Sequence, residues 1–164
     1  MDALVAIAER HSTRAFTSEP VPREALQKII DAGRHAPSAR NEQPWEFLVV
    51  TEPETRKKLG KLGDFTAPLG AAAACVAVYC KDSKYYLEDG CAAAQNILIA
   101  ATALGLQTCW VAGDKGPYCA AAASILGVPL AYKLVALLAV GHGREPGAPT
   151  PKRGLDAVLH WEHW

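Results

Sequence analysis

Apolar residues recur at helical spacing along the first part of the chain. Leu4, Ile7 and Ala8 mark a short amphipathic segment. After Pro22, the residues Leu26, Ile29, Ile30 and Gly33 give the i, i+3, i+4, i+7 stripe of a helix lying on a core, ending before Pro37. Phe47-Leu48-Val49-Val50 is a short run rich in strand formers that follows a turn-forming segment, and it predicts a buried strand. Pro53 then opens a polar helix through Leu62. Ala73 to Cys80, with Val76, Val78 and Tyr79, predicts a second strand, and the stretch from about Tyr85 to Leu104 a long helix that Gly105 terminates. That helix is apolar nearly all round between Cys91 and Ala101, so it must be covered on several sides, as a central helix or against a partner chain. Gln107 to Ala112 reads as a third strand, Tyr118 to Leu126 as a helix, and Lys133 to Val140 as a fourth, strongly apolar strand. The Pro/Gly-rich segment from Gly141 to Gly154 is a loop. No repeat, low-complexity tract or linker divides residues 1–164, which predicts one domain. Strands and helices interleave, a pattern that by itself suggests a parallel α/β sheet.

Composition narrows the function classes. Half of the 164 residues are hydrophobic and 21% are charged, which suits a soluble fold with a sizeable core. Lys+Arg and Asp+Glu balance at 17 each, so no global positive field draws in nucleic acid or an anionic membrane. Asp2, Glu9 and Arg10 interrupt the only stretch that could serve as a leader, and the apolar run from Cys91 to Leu106 contains Gln95, Asn96 and Thr102 and falls short of a membrane span. A cytoplasmic protein is expected. The five cysteines include no C-x-x-C and no histidine at zinc spacing, and read as reduced thiols in apolar surroundings. His160 and His163, between Trp161 and Trp164 at the end, read as an exposed packed tail and not as a metal site.

Two polar segments carry the candidate chemistry. Ala36-Pro37-Ser38-Ala39-Arg40-Asn41-Glu42-Gln43-Pro44-Trp45 joins a predicted helix to a predicted strand; its prolines restrict the backbone, and Ser38, Asn41 and Gln43 can each donate and accept hydrogen bonds, which suits a flat heteroaromatic ring. Arg10-His11-Ser12-Thr13-Arg14-Ala15-Phe16 places two permanently charged forks on either side of a hydroxyl, an arrangement suited to phosphate.

Together these segments resemble the nitroreductase-like family of FMN-dependent NAD(P)H oxidoreductases. R-x-S-x-R-x-F is met by Arg10, Ser12, Arg14 and Phe16, and A-P-S-x-x-N-x-Q-P-W by Ala36 to Trp45 without a gap. The likeness continues through Asp89 to Asn96 and Ala103 to Trp110 and ends in Pro151-Lys152-Arg153, so it covers nearly the whole chain. It implies an α+β fold with a largely antiparallel sheet surrounded by helices, in a homodimer with the flavin at the subunit interface. It also implies residue roles. Arg10, His11, Ser12 and Arg14 meet the FMN phosphate, ribityl chain and pyrimidine side, with Arg153 and then Lys152 on the phosphate. Pro37, Ser38, Ala39, Asn41 and Gln43 approach the flavin from the other subunit. The backbone of Trp110, Val111, Ala112 and Gly113 lies near N5 and O4, and Gly141 and His142 line the site. No side chain is required as a catalytic acid or base, because hydride arrives at and leaves from N5. Gly141-His142-Gly143 matches neither G-x-G-x-x-G nor a P-loop.

The expected activity is ping-pong electron transfer from NAD(P)H through FMN to an electron-poor acceptor such as a nitroaromatic or quinone. Other flavin chemistry on the same fold is an alternative, as is a flavin-binding protein that takes electrons from a protein donor. The second alternative draws on the short connection between the first two strands, which has about twenty residues including Gly60, Gly63, Pro68 and Gly70, where longer family members place helices over the flavin.

Overall fold

The structure, a computed structural model, describes residues 1–164, the side chain of Ala112 excepted. Acidic and proline residues start its first three helices. The Asp2 carboxylate accepts from Leu4 N at 2.9 Å and opens α1 (Ala3–Glu9). Pro22 precedes α2 (Arg23–Arg34), whose Leu26, Ile29 and Gly33 point inward. Glu52 accepts from Glu54 N and Thr55 N at the start of α3 (Pro53–Leu59), with Pro53 in its first turn. This helix stops three residues before the expected Leu62. Gly60 interrupts it, and an unexpected short helix, α4 (Ala67–Ala71), packs across it so closely that a Cβ on Gly60 would lie 2.8 Å from Gly70 N.

The strands are β1 (Trp45–Val50), β2 (Ala74–Lys81), β3 (Gln107–Ala112) and β4 (Tyr132–Gly141); α5 (Tyr86–Ala103) and α6 (Cys119–Leu126) lie between β2 and β3 and between β3 and β4. Gly105, with φ 76°, follows α5, and Gly127, with φ 67°, ends α6. The sheet order is β1-β2-β4-β3 and every neighbouring pair is antiparallel. The parallel sheet suggested by interleaving alone is therefore absent, and the α+β arrangement implied by the resemblance is present. Helices cover both faces of the sheet, so β2 and β4 are apolar on both sides, a pattern usually seen in parallel strands.

On one face, Val76, Val78, Leu138 and Val140 meet Ile29 of α2 and Ile97 and Leu98 of α5. On the other, Cys75, Ala77, Tyr79 and Leu137 meet Leu59, Leu69 and Ala122 of α3, α4 and α6. Close approach of α5 to the sheet depends on Gly90, where a Cβ would lie 2.6 Å from Val135 Cγ2. Ala93, Ala94, Ile97, Leu98 and Ala101 of α5 are buried, whereas Cys91, Ala92 and Ile99 are half-buried and Gln95 is exposed. The chain thus fully covers only one side of this helix.

Candidate functional site

The segment after α1 is laced to the far edge of the sheet. Ser12 pairs in parallel with Thr108 of β3, Thr13 N donates to Thr108 O at 2.8 Å, and the Thr13 hydroxyl donates to Gln107 Oε1 at 3.0 Å. Buried Phe16 pairs with Gly143 just beyond β4; Thr17 N donates to His142 O at 2.8 Å and Arg144 Nε to Phe16 O at 2.9 Å. These bonds fix the backbone and leave side chains free. Ser12 and Arg14 are exposed and Arg10 is half-buried. Arg14 lies near Cys109, whose thiol burial pushes up and the Arg14 charge pulls back.

β3 is an edge strand, paired only with β4 apart from the Ser12 bridge. Thr108 turns its carbonyl to that open edge, since Thr13 N donates to it. By strand alternation, Trp110 and Ala112 turn their N–H and C=O groups the same way. The result is a row of main-chain donors and acceptors running from the Arg10–Arg14 segment to Gly113. Gly113 is buried, and a Cβ there would lie 2.8 Å from Leu134 Cγ and from Val135 O. The side chain of Ala112 lies outside the described residues.

The loop before β1 is rigid in a different way. Ser38 Oγ accepts from Gln43 N at 2.9 Å, and Ala39 N donates to Asp89 Oδ1 at 3.0 Å. Arg40, Asn41 and Gln43 adopt φ of 55°, 58° and 49°, a left-handed conformation that costs about 1–3 kcal/mol at a residue other than glycine and is held only where surroundings impose it. Pro37, Asn41 and Gln43 are exposed, while Ser38 and Ala39 are half-buried.

These two groups lie at opposite corners. Trp45 pairs with Cys80 and Cys80 with Lys133, so the loop lies by the start of β4, whereas Thr108 pairs with Val140 at its end. Three strand spacings across and seven residues along separate the corners, a diagonal of roughly 27 Å. Within one subunit the structure brings the Arg10–Arg14 segment beside Thr108, Gly141 and His142, while Trp110 to Gly113 run away from it along the same strand edge. It does not bring Pro37 to Gln43 to them. Lys152 and Arg153 are exposed on a terminal segment whose residues from 144 onward are all exposed. Gly141 is buried, with a Cβ position 3.1 Å from Phe16 Cδ1, and His142 contributes its carbonyl to Thr17. His11 Nδ1 lies 2.9 Å from Glu9 O, and its Nε2 is buried with no partner among the described residues.

Sequence reasoning missed the residues that hold this geometry, namely Asp89, Thr13, Gln107 and Arg144. A signal existed for Asp89, which is 5% exposed: it adjoins the largely apolar run from Cys91 to Ala101, and an acid is buried in such surroundings only when bonded. Among the described residues no cluster of His, Cys, Asp or Glu could hold a metal ion, and no helix is long and apolar enough to cross a membrane. All five cysteines are free.

Comparison with known proteins gives the family. The family model described as the Nitroreductase family matches residues 7–63 and 80–142. A protein of Archaeoglobus fulgidus provisionally named NADH dehydrogenase/NAD(P)H nitroreductase is 33% identical over 152 residues, 88% of this chain and 87% of that protein. The Bacillus subtilis FMN reductase [NAD(P)H] is 28% identical over 186 aligned positions, covering 98% of this chain and 74% of that one. The crystal structure of a Parabacteroides distasonis protein, also provisionally named NADH dehydrogenase/NAD(P)H nitroreductase, superposes with a TM-score of 0.93 at 28% identity, covering 99% of this chain and 98% of that one.

Proposed function

From the premise that the chain belongs to the nitroreductase family, we propose that it is a single-domain FMN-dependent oxidoreductase that takes electrons from NAD(P)H. By a ping-pong route it then reduces an electron-poor acceptor such as a nitroaromatic or quinone. The observation that carries this reading is the free edge of β3, with a cationic clamp at one end and a buried glycine at the other.

The residues present fit the cofactor. From Thr108 to Gly113 the edge runs five residues, roughly 16 Å, a span suited to an extended phosphate, ribityl and ring. Bound there, FMN supplies N5 as the atom that accepts and gives up hydride. The chain's own groups bind and orient. Arg10 and Arg14 neutralise the phosphate, helped by Arg153 and Lys152 from the terminal segment; Ser12 adds a hydroxyl; and the outward backbone groups of Trp110 to Gly113 hold the ring's polar edge.

The ring's other side is assigned to Pro37, Ser38, Ala39, Asn41 and Gln43 of a second subunit in a homodimer. Three observations support this. The loop lies at the wrong corner to serve its own subunit's clamp. The outer side of α5 is left half-covered beside α1, whose Leu4 and Ile7 are 76% and 52% exposed. Finally, the terminal segment displays Leu155, Trp161 and Trp164 to solvent, a composition that calls for a covering surface.

The alternative, a protein electron donor, draws on one feature: α3 and α4 pack on each other, on β4 and on α6. They do not extend a lid toward the β3 edge, and a bulky partner could approach it. Reconstitution with FMN followed by anaerobic mixing with NADH or NADPH tests the proposal. Yellow protein that a nicotinamide bleaches is expected. Protein that takes up neither FMN nor FAD would overturn it, and FMN-loaded protein reduced only by a protein donor would favour the alternative.

A further inference from the structure

The loop from Pro37 to Gln43 is fastened to the rest of the fold at one point. Its inner bonds run from Asn41 N to Ser38 O, from Glu42 N to Ala39 O, and from Gln43 N and Nε2 to Ser38 Oγ and Asn41 O. Among the described residues, the one hydrogen bond that leaves it is donated by Ala39 N to Asp89 Oδ1, 3.0 Å away on α5. Asp89 is placed in turn by the sheet. Its neighbour Gly90 lets α5 press so closely that a Cβ there would lie 2.6 Å from Val135 Cγ2 of β4 and 2.9 Å from Cys80 Sγ of β2. The acid therefore sits, 5% exposed, at the corner where Trp45 pairs with Cys80.

Neither helix stability nor packing calls for an acid at this position. Exposed Glu88, in the same first turn of α5, already supplies the negative charge that a helix start favours, and a buried carboxyl costs more than an apolar side chain unless it is bonded. What the carboxyl does hold is a strained turn. Arg40 and Asn41, directly after Ala39, stand at φ 55° and 58°, and Gln43 at 49°, conformations that such residues leave when nothing imposes them. A loop released from them must be ordered again when a ligand arrives, and that cost is subtracted from affinity. We propose that Asp89 is a positioning residue of the flavin site, which presets Ala39, Arg40 and Asn41 through one hydrogen bond and so raises flavin affinity without touching the ligand. This role rests on the flavin reading above, in which the loop serves the second subunit, so Asp89 acts across the dimer on the flavin held by the other chain's Arg10–Arg14 segment. A neutral acceptor in the same place would serve as well, because the bond does the holding.

Fluorescence titration of the flavin-free protein with FMN tests this role. Asp89→Ala should bind FMN about fivefold to tenfold more weakly than the unaltered chain, the range of one hydrogen bond and the order it imposes. Asp89→Asn, which keeps an acceptor oxygen in a neutral amide, should stay within about twofold, as should Glu88→Ala, which removes the acid from the same helix turn and leaves the loop alone. Ala39→Pro removes the donor without touching α5, at a position whose predecessor Ser38 is already extended at φ −137° and ψ 153°; it should weaken FMN binding too, and it carries the test should Asp89→Ala not fold. Heterodimers of Asp89→Ala with Arg14→Ala subunits, isolated through two different tags, should each contain one tight FMN site, where the undamaged loop meets the undamaged arginine segment. The proposal is overturned if Asp89→Ala or Ala39→Pro binds FMN as tightly as the unaltered chain, if Asp89→Asn loses as much as Asp89→Ala, or if no tight site returns in the heterodimers. Failure of the flavin reading would look different: the unaltered chain would take up no FMN, and this role would fall with it.

Discussion

Gly113→Ala is the substitution that tests most directly how the end of β3 joins fold to site. The added methyl would lie 2.8 Å from Leu134 Cγ and from Val135 C and O, while ordinary van der Waals contact begins at 3.4 Å. Leu134 can rotate away, but the Val135 backbone is tied into β4 and cannot. The end of β3 must therefore withdraw by the difference between 3.4 and 2.8 Å, about 0.6 Å. Overpacking of this kind destabilises by about 1–3 kcal/mol. The same displacement carries the outer edge of β3 about 0.6 Å out of place against a ligand bound along it, enough to spoil one amide hydrogen bond, a loss of about 1 kcal/mol or roughly fivefold in affinity. Urea denaturation and FMN fluorescence titration read the two effects separately. Gly154→Ala is the control, because a Cβ there meets nothing within 4 Å. If Gly113→Ala matches that control in both assays, β3 is not held against β4 as described and its backbone does not serve the ligand.

Arg14→Ala and, separately, Arg153→Ala should each weaken FMN binding by about 1.5–3 kcal/mol with the fold retained, by fluorescence titration and circular dichroism; unchanged affinity in both would remove the phosphate assignment. Mixing Arg14→Ala subunits with Asn41→Ala subunits should give heterodimers with one intact and one doubly damaged site, and a stable FMN-loaded monomer in sedimentation would refute the shared site. Asp89→Ala deprives Ala39 N of its acceptor, so amide exchange at Ala39 should accelerate while that of β2 stays slow; equal protection in the variant would show that the loop is held otherwise. Burial pushes the Cys75 and Cys80 thiols from 9.0 up to about 12, which means the folded state favours the neutral form. Their contribution is complete below pH 9.0 and is lost as pH rises from there towards 12, so the urea midpoint should fall across that window and fall less in Cys75→Ala.

Element positions were largely legible because the residues that set them act locally. Pro22, Pro53 and Gly105 punctuate helices through their own backbone preferences, and the third strand was expected at its observed residues, Gln107–Ala112. Strand direction was not legible, since β2 and β4 are apolar on both sides whichever way they run. The helix α4 escaped notice because Pro68 and Gly70, within five residues, read as a turn; it forms through packing against α3. For the site, side-chain chemistry pointed to Arg10, Ser12 and Arg14, but what positions them is a main-chain bridge to Thr108, and no side chain records that. The separation of the two polar segments across the sheet likewise depends on the order β1-β2-β4-β3, which only the assembled fold reveals.

That lacing also sets a schedule for synthesis. The Thr13–Gln107 bond closes a separation of 94 residues and the Arg144–Phe16 bond one of 128. A chain emerging from the ribosome therefore exposes Arg10 to Arg14 early, with nothing to hold them, and completes the clamp only after β4 and the residues beyond it have been made. Contacts so distant in sequence form slowly, because loop closure must precede any gain from them. A truncation just before Gly141 would keep nearly the whole sheet and the Ser12–Thr108 bridge but lose the bonds from Gly143 and Arg144 to Phe16 and from Thr17 to His142, so the lacing is complete only in the longer chain.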